Sequence, residues 1–174
     1  MSYFKNFGTI EYEQQIARNI LTAVLPSGFN VDRSYVYQNY RVADGETPES
    51  IAEKFYRVAE LYWVALVVNA IVNPFLDWPM DSKQLEEFVL LKYDGQTNGI
   101  HHYFDNRIGR ISDDVDSAVW RAMDPADLPY YIIPKTNLSW ERELNDARRE
   151  IVVVNPRYVQ QFVEVYNQAI EGRQ

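Results

Sequence analysis

Residues 40–80 read YRVADGETPESIAEKFYRVAELYWVALVVNAIVNPFLDWPM, and here turn chemistry, helix capping and apolar spacing agree with one another. Tyr40-Arg41-Val42 reads as a short strand, and Asp44-Gly45 suits a turn that needs a positive φ. Thr47 is the predicted N-cap. Its hydroxyl can accept from an unpaired first-turn amide, Pro48 sits where a missing N–H costs nothing, and Glu49 complements the positive end of the dipole. Behind it Ile51, Phe55 and Val58 recur at i, i+4 and i+7 with Ala52 beside them, while Glu53, Lys54 and Arg57 take the wet side. Leu61 to Val68 is apolar throughout except for the Tyr62 hydroxyl and the Trp63 indole N–H, so it predicts a helix buried by its neighbours. Asn73-Pro74 ends it, because a residue before proline is pushed out of the α region. The order is strand, turn, helix, helix, loop.

Working outward, 174 residues of which 47% are hydrophobic can bury a real core. A net charge of −8 gives no general attraction for nucleic acid or anionic lipid, so neither is expected as a partner. The absence of cysteine removes disulfides, thiolate nucleophiles and Cys-based zinc sites together. No apolar run approaches the ~20 residues that span a bilayer, and MSYFKNFGTI lacks the basic start and apolar core of a signal peptide. Folding in the cytoplasm is the expectation. The aromatic share of 14% favours interfaces as well as core, since Tyr and Trp cover much area at little entropic cost.

Tyr3, Phe4, Phe7, Ile10 and Tyr12 crowd a tip too apolar to be left in water, so it must dock on its own domain or on a partner. Glu13 to Leu25, with Ile16, Ile20, Leu21 and Val24, predicts a helix closed by Pro26 and Gly28. Tyr35, Tyr37 and Val42 alternate with polar residues as a strand would. Past Pro79, Asp81 can cap a helix through Leu91 with Gln84 as its capping-box partner. Ile100 to Ile111 predicts a hairpin turning at Asp105-Asn106, and the Asp-rich 112–129 a surface loop with one helical turn around Val115 to Met123. Trp140 to Arg149 alternates charges at helical spacing, leaving Leu144 and Ala147 as an apolar remainder, and reads as an exposed helix that must lean on something. Ile151 to Val154 favours a strand. Asn155-Pro156 then leads into a stripe of Val159, Phe162, Val163, Tyr166 and Ile170, ended by Gly172.

Tyr40 to Asn73 resembles the LysM module: an aromatic-x-Val strand, a Gly-acidic-Thr turn, a helix bearing Ile-Ala, and a second helix running to an Asn-Pro loop. With Leu61 to Leu66, Asn69 and Asn73-Pro74-Phe75-x-Asp77-Trp78-Pro79 added, the chain is similar to the LysM-containing baseplate wedge proteins of contractile-tailed bacteriophages, the family typified by wedge protein 53 of the T-even phages. The aromatic tip and a tail holding Asn145, Arg148, Arg149, Ile151, Tyr158 and Phe162 extend that likeness. An ordinary LysM module would place a second strand where Asp81 to Leu91 predicts a helix, which sets this chain apart from the simple module. The expected fold class is α+β: a LysM-like strand-helix-helix core with flanking helices, a small hairpin and a C-terminal strand-helix. Expected boundaries are 1–39 (docking segment and helix), 40–93 (core with the following helix), 94–135 (hairpin and acidic loop) and 136–174 (helix-strand-helix).

No motif for catalysis stands out. His101 and His102, adjacent on a strand, should point to opposite faces and share no metal; Asp113, Asp114 and Asp116 lack the glycine and bidentate Glu of an EF-hand loop. There is no phosphate loop and no nucleophile elbow. The expectation is therefore no enzyme, no cofactor, no catalytic residue and no metal ligand. Two readings remain. The resemblance implies a structural virion protein of the tail baseplate, made in the host cytoplasm, joining wedge subunits and neighbouring wedges around a sixfold hub. Its partners would be other wedge proteins, hub- and sheath-proximal components and neighbouring copies, met through Tyr3, Phe4, Phe7, Tyr12, Phe75, Asp77, Trp78, Arg148, Arg149 and Tyr158. The alternative is a peptidoglycan- or chitin-oligomer-binding module with a groove at Asp44, Gly45, Glu46, Thr47, Ile71 and Asn73. One copy, no signal peptide and about 130 flanking residues favour the wedge.

Overall fold

The computed structural model describes residues 9–12, 15–18, 35–111 and 114–171. In chain order these form strands β1 (Thr9–Tyr12), β2 (Gln15–Arg18) and β3 (Tyr37–Arg41), then helices α1 (Pro48–Tyr56), α2 (Tyr62–Val68), α3 (Pro74–Asp77) and α4 (Ser82–Lys92). Strands β4 (Ile100–Asp105) and β5 (Arg110–Ile111) precede helix α5 (Asp114–Ala122). The chain finishes with β6 (Ile132–Thr136), α6 (Asn137–Arg148), β7 (Glu150–Val154) and α7 (Val159–Glu171). The class is α+β, with every described strand pairing antiparallel. Two compact units result, one of residues 1–79 with 148–174 and the other of residues 80–147.

In the first unit β3 pairs with β7, from Tyr37 opposite Val154 to Arg41 opposite Glu150. The strand that completes the sheet thus comes from the far end of the sequence, while α4 follows Pro79 where a compact module would have placed it. Thr47 caps α1 as the residue pattern requires, its hydroxyl accepting from the Ser50 amide while the Ser50 hydroxyl answers the Thr47 N–H. Arg57 leaves the helix in the left-handed region at φ 58°, so Val58 falls outside α1 and is exposed, and Tyr56 takes the buried place. Helix α2 has apolar neighbours on both sides. Leu66 joins Val42, Ile51, Trp78, Ile151 and Val153, whereas Trp63, Val64 and Val67 meet the stripe of α7. The Trp63 ring lies 4.8 Å from that of Tyr166.

Asn69 links α2 to the sheet. Its side-chain amide donates to the Ala65 and Val152 carbonyls, at 2.8 and 2.7 Å, and its oxygen accepts from the Val152 N–H at 2.8 Å. A single side chain therefore gives the outer edge of β7 the two bonds that a neighbouring strand would have made.

Residues 15–18 correct the helix expected over 13–25. They form β2, pairing Ile10 with Ala17 and Glu11 with Ile16, because the strand-prone Thr9–Tyr12 beside them offers ladder bonds that outweigh a weak helical spacing; the rest of that expected helix lies outside the described residues.

In the second unit α4 begins as its capping box predicts, Asp81 accepting from the Gln84 amide and Gln84 returning a bond to the Asp81 N–H. The hairpin turns over Asn106–Gly109, with Gly109 at φ 64°, and not at Asp105-Asn106. Asp105 is instead the anchor of that turn, its carboxylate accepting from the Arg107 amide and guanidinium. Helix α5 is nine residues, longer than the one turn expected. The larger correction concerns α6, whose buried face is polar. Asn137, Glu141 and Asn145, at i, i+4 and i+8, are all buried. Asn137 donates to the Gln96 carbonyl, and Asn145 exchanges two bonds with the Met80 backbone. Glu141 accepts from Lys92 and from the Tyr93 hydroxyl, both at 2.7 Å.

Two outcomes follow. Asn69→Ala should destabilise the protein by about 1–3 kcal/mol, because it strands the Val152 N–H and C=O without partners; urea unfolding measures this, and a smaller loss would remove Asn69 from its bridging role. Burial raises the Glu141 carboxyl, but Lys92 and Tyr93 together hold it below the ordinary value. Its contribution is therefore fully present above the unfolded carboxylate range and is lost as pH falls through the lower folded value. Glu141→Gln should flatten stability against pH below about 4.5, the ordinary Glu range, and an unchanged acid limb in that variant would contradict it.

Candidate protein-interface site

Helix α3 is a single turn held by its own ends. Asn73 caps it through a side-chain oxygen accepting from the Phe75 amide, Pro74 pre-sets the first helical φ, and the Asp77 carboxylate accepts from the Asn73 N–H at 3.2 Å. Beneath it Trp78 is buried against Val42, Ile51 and Leu66, and its indole N–H donates to the Glu46 carbonyl at 2.9 Å. The outward side is apolar: Phe75 is 92% exposed, Val72 82% and Leu76 61%. Exposed large apolar side chains so close in sequence on a braced turn are candidates for an interaction surface.

The neighbouring 42–47 turn is tied down from several directions. Arg149, itself buried, donates to the Val42 carbonyl at 3.2 Å and to the Asp44 carboxylate at 2.8 Å. Glu46 accepts from the Tyr40 hydroxyl at 2.6 Å, the Ala43 N–H at 2.9 Å and the Lys54 ammonium at 3.3 Å. Burial pushes the Glu46 carboxyl up, yet these donors hold it below its usual value. Gly45 stands at φ 74°, in open space, as the turn requires.

The residues nominated from sequence are distributed as follows. Phe75 and Asp77 share α3, with Phe75 facing water and Asp77 bracing the turn. Trp78 and Arg149 stand behind the 42–47 turn as supports. Arg148 is exposed at the end of α6, and Tyr158 is half-buried, its ring 5.9 Å from Tyr35. Tyr3, Phe4 and Phe7 lie outside the described residues, while Tyr12 ends β1 opposite Gln15. Of the groove residues, Asp44, Glu46, Thr47 and Asn73 have side-chain oxygens engaged by the protein's own donors, and Ile71 is half-buried against the core. Val72 and Leu76 were missed. Each flanks a residue the pattern had already singled out, and the signal was the unbroken apolar content on both sides of Asn73-Pro74.

The second unit corrects the expectation for the histidines. Between Ile100 and His102 the β4–β6 register shifts, leaving His101 as an extra residue opposite Lys135. Such a bulge breaks the alternation of faces, and the two Nδ1 atoms approach to 2.8 Å. Among the described residues no group of three or more His, Asp or Glu is placed to hold a metal ion, and no helix is long and apolar enough to cross a membrane.

No curated protein matches the chain. The family model described as base plate wedge protein 53 matches residues 4–127, a span that takes in the aromatic tip from Phe4 onward, both core helices and the braced α3 turn. The chain belongs to the base plate wedge protein 53 family.

Proposed function

We propose that this protein is a structural component of the phage tail baseplate wedge, joining wedge subunits and neighbouring wedges by burial and shape, with no catalytic step. Family membership supports the baseplate role. The observation that carries the joining role is Phe75, 92% exposed on a turn whose polar groups are already bonded within the protein. A rigid aromatic presented in this way loses little freedom on docking, and anchors of this type dominate interface energetics. Asp77, Trp78 and Arg149 would act as the frame that sets the angle of Phe75. Tyr3, Phe4, Phe7, Tyr12, Arg148 and Tyr158 are proposed as further contact residues.

The partners on this reading are other wedge proteins, hub- and sheath-proximal components and neighbouring copies in a sixfold ring; nucleic acid and membrane are not among them. The protein would enter the virion from the host cytoplasm. A LysM-like character for the first unit is supported by the order strand, helix, helix with a closing antiparallel strand, here β3, α1, α2 and β7. Glycan binding is not favoured by any observation, since the groove's side-chain oxygens at Asp44, Glu46, Thr47 and Asn73 serve the protein's own turns and caps.

Light scattering of the full chain mixed with the other wedge proteins of its own phage tests the proposal. Phe75→Ala should leave thermal stability within about 0.5 kcal/mol, as for other exposed sites, and weaken association by roughly tenfold or more, as expected for an aromatic hot spot. Undiminished association would remove α3 from the interface. A monomer that ignores the wedge proteins and titrates with chitin oligomers would overturn the structural reading.

A further inference from the structure

The chain contains two histidines in all, and both lie in the β4 bulge. His101 stacks on the Trp140 indole, the rings 27° from parallel with centroids 5.6 Å apart, and His102 meets the same ring edge-on at 4.9 Å. His102 is buried while His101 reaches the surface. Around the pair stand Tyr93 at the end of α4, edge-on to His101, with Lys92 beside it. Helix α6 contributes Glu141 and Glu143, and β6 contributes Lys135, which is ion-paired with Glu143.

An Nδ1 to Nδ1 distance of 2.8 Å limits the proton count. One nitrogen must carry the hydrogen and the other must offer its lone pair. A neutral pair satisfies this. A pair with one extra proton also does, provided that the imidazolium is the donor. Two imidazoliums do not, because both Nδ1 atoms then bear hydrogens directed at each other. Two added protons would place one on His102, which is buried against Trp140 with Lys135 across the strand pair. Burial, and then the charge of His101, hold the His102 imidazole below its usual value, with Glu143 opposing and Lys135 adding to the effect.

We propose that the His101–His102 contact is a proton-counting latch in the second unit: it packs the β4 bulge against Trp140 of α6 with up to one added proton, and the second proton opens it.

The sign follows from linkage. With His102 depressed in the folded protein, the unfolded chain binds more protons just below the ordinary histidine value, so stability is full above that value and falls as pH drops beneath it. The full chain should therefore show an unfolding equilibrium constant that rises by up to roughly tenfold per pH unit as pH falls below about 6.5, the limit for one excess proton. Urea unfolding from pH 7.5 to 5.5 stays clear of the carboxylate range. His102→Gln should abolish the slope, and His101→Gln should make it shallower by removing the opposing hydrogen. The histidine Cε1–H resonances supply a readout that does not depend on either variant folding. In the unsubstituted chain they should never both show the protonated shift while the fold persists. A flat stability profile, or both rings protonated in a chain that stays folded, would overturn the latch.

Discussion

The first unit depends on the ladder between β3 and β7. Arg41 and Glu150, cross-strand partners that also form an ion pair, are 109 positions apart. Until that ladder closes, α1 and α2 have no sheet to cover. Ile151 and Val153 then supply the wall on which Val42, Ile51, Leu66 and Trp78 converge, while Val154 begins the second cluster with Phe162 and Tyr166. Asn69 and Arg149 add polar ties on either side of the new strand, one bonding Val152 and the other the Val42 carbonyl and Asp44. The exposed turn at α3 inherits its rigidity from this arrangement, because Trp78 beneath it belongs to the cluster that β7 completes.

The second unit is organised differently. Its C-terminal helix is held by hydrogen bonds through Asn137, Glu141 and Asn145, each satisfied by a named partner. Polar burial of this kind is directional. A carboxylate inside the protein is tolerable when its donors are in place and costly when they are not, so the helix has one register in which its buried face is satisfied. Apolar packing alone would specify that register less sharply.

Signals that act over three or four residues were legible in the sequence. Thr47, Asp81 with Gln84, and the stripe of α7 all appear where capping and periodicity place them. Leu61 to Val68 was readable as buried because it lacks any wet face. What escaped were the pairings and polarities that local pattern does not encode. Nothing in Gln15–Arg18 announces a strand until Thr9–Tyr12 lies beside it. Residues 132–136 carry a proline inside what becomes β6, a residue that ordinarily argues against a strand. Helix α6 was read inside out, since the usual equation of buried with apolar fails when the buried residues are Asn, Glu and Asn. The histidine pair was misjudged for a similar reason: alternation of faces holds only where the register is unbroken. Phe75, proposed as a contact, was nominated from its setting between Asn73-Pro74 and Asp77, and it is exposed. The supporting roles of Trp78 and Arg149 were not, because an indole N–H and a guanidinium show no preference in sequence between a neighbour's carbonyl and a partner's.

The position of β7 also has a consequence for synthesis. A ribosome delivers β3 and both core helices early, yet their missing strand arrives only after the whole of residues 80–147 has been translated. The second unit, contiguous in the chain, is complete first, and the first unit waits as a nascent half-sheet with an open edge and an uncovered apolar helix. Long-range pairing of this kind is slow to form and prone to aggregation while it is pending. For a protein of an assembly, the delay ties the setting of the α3 turn to the arrival of β7: a truncated product ending before Glu150 would present Phe75 without the wall that steadies it.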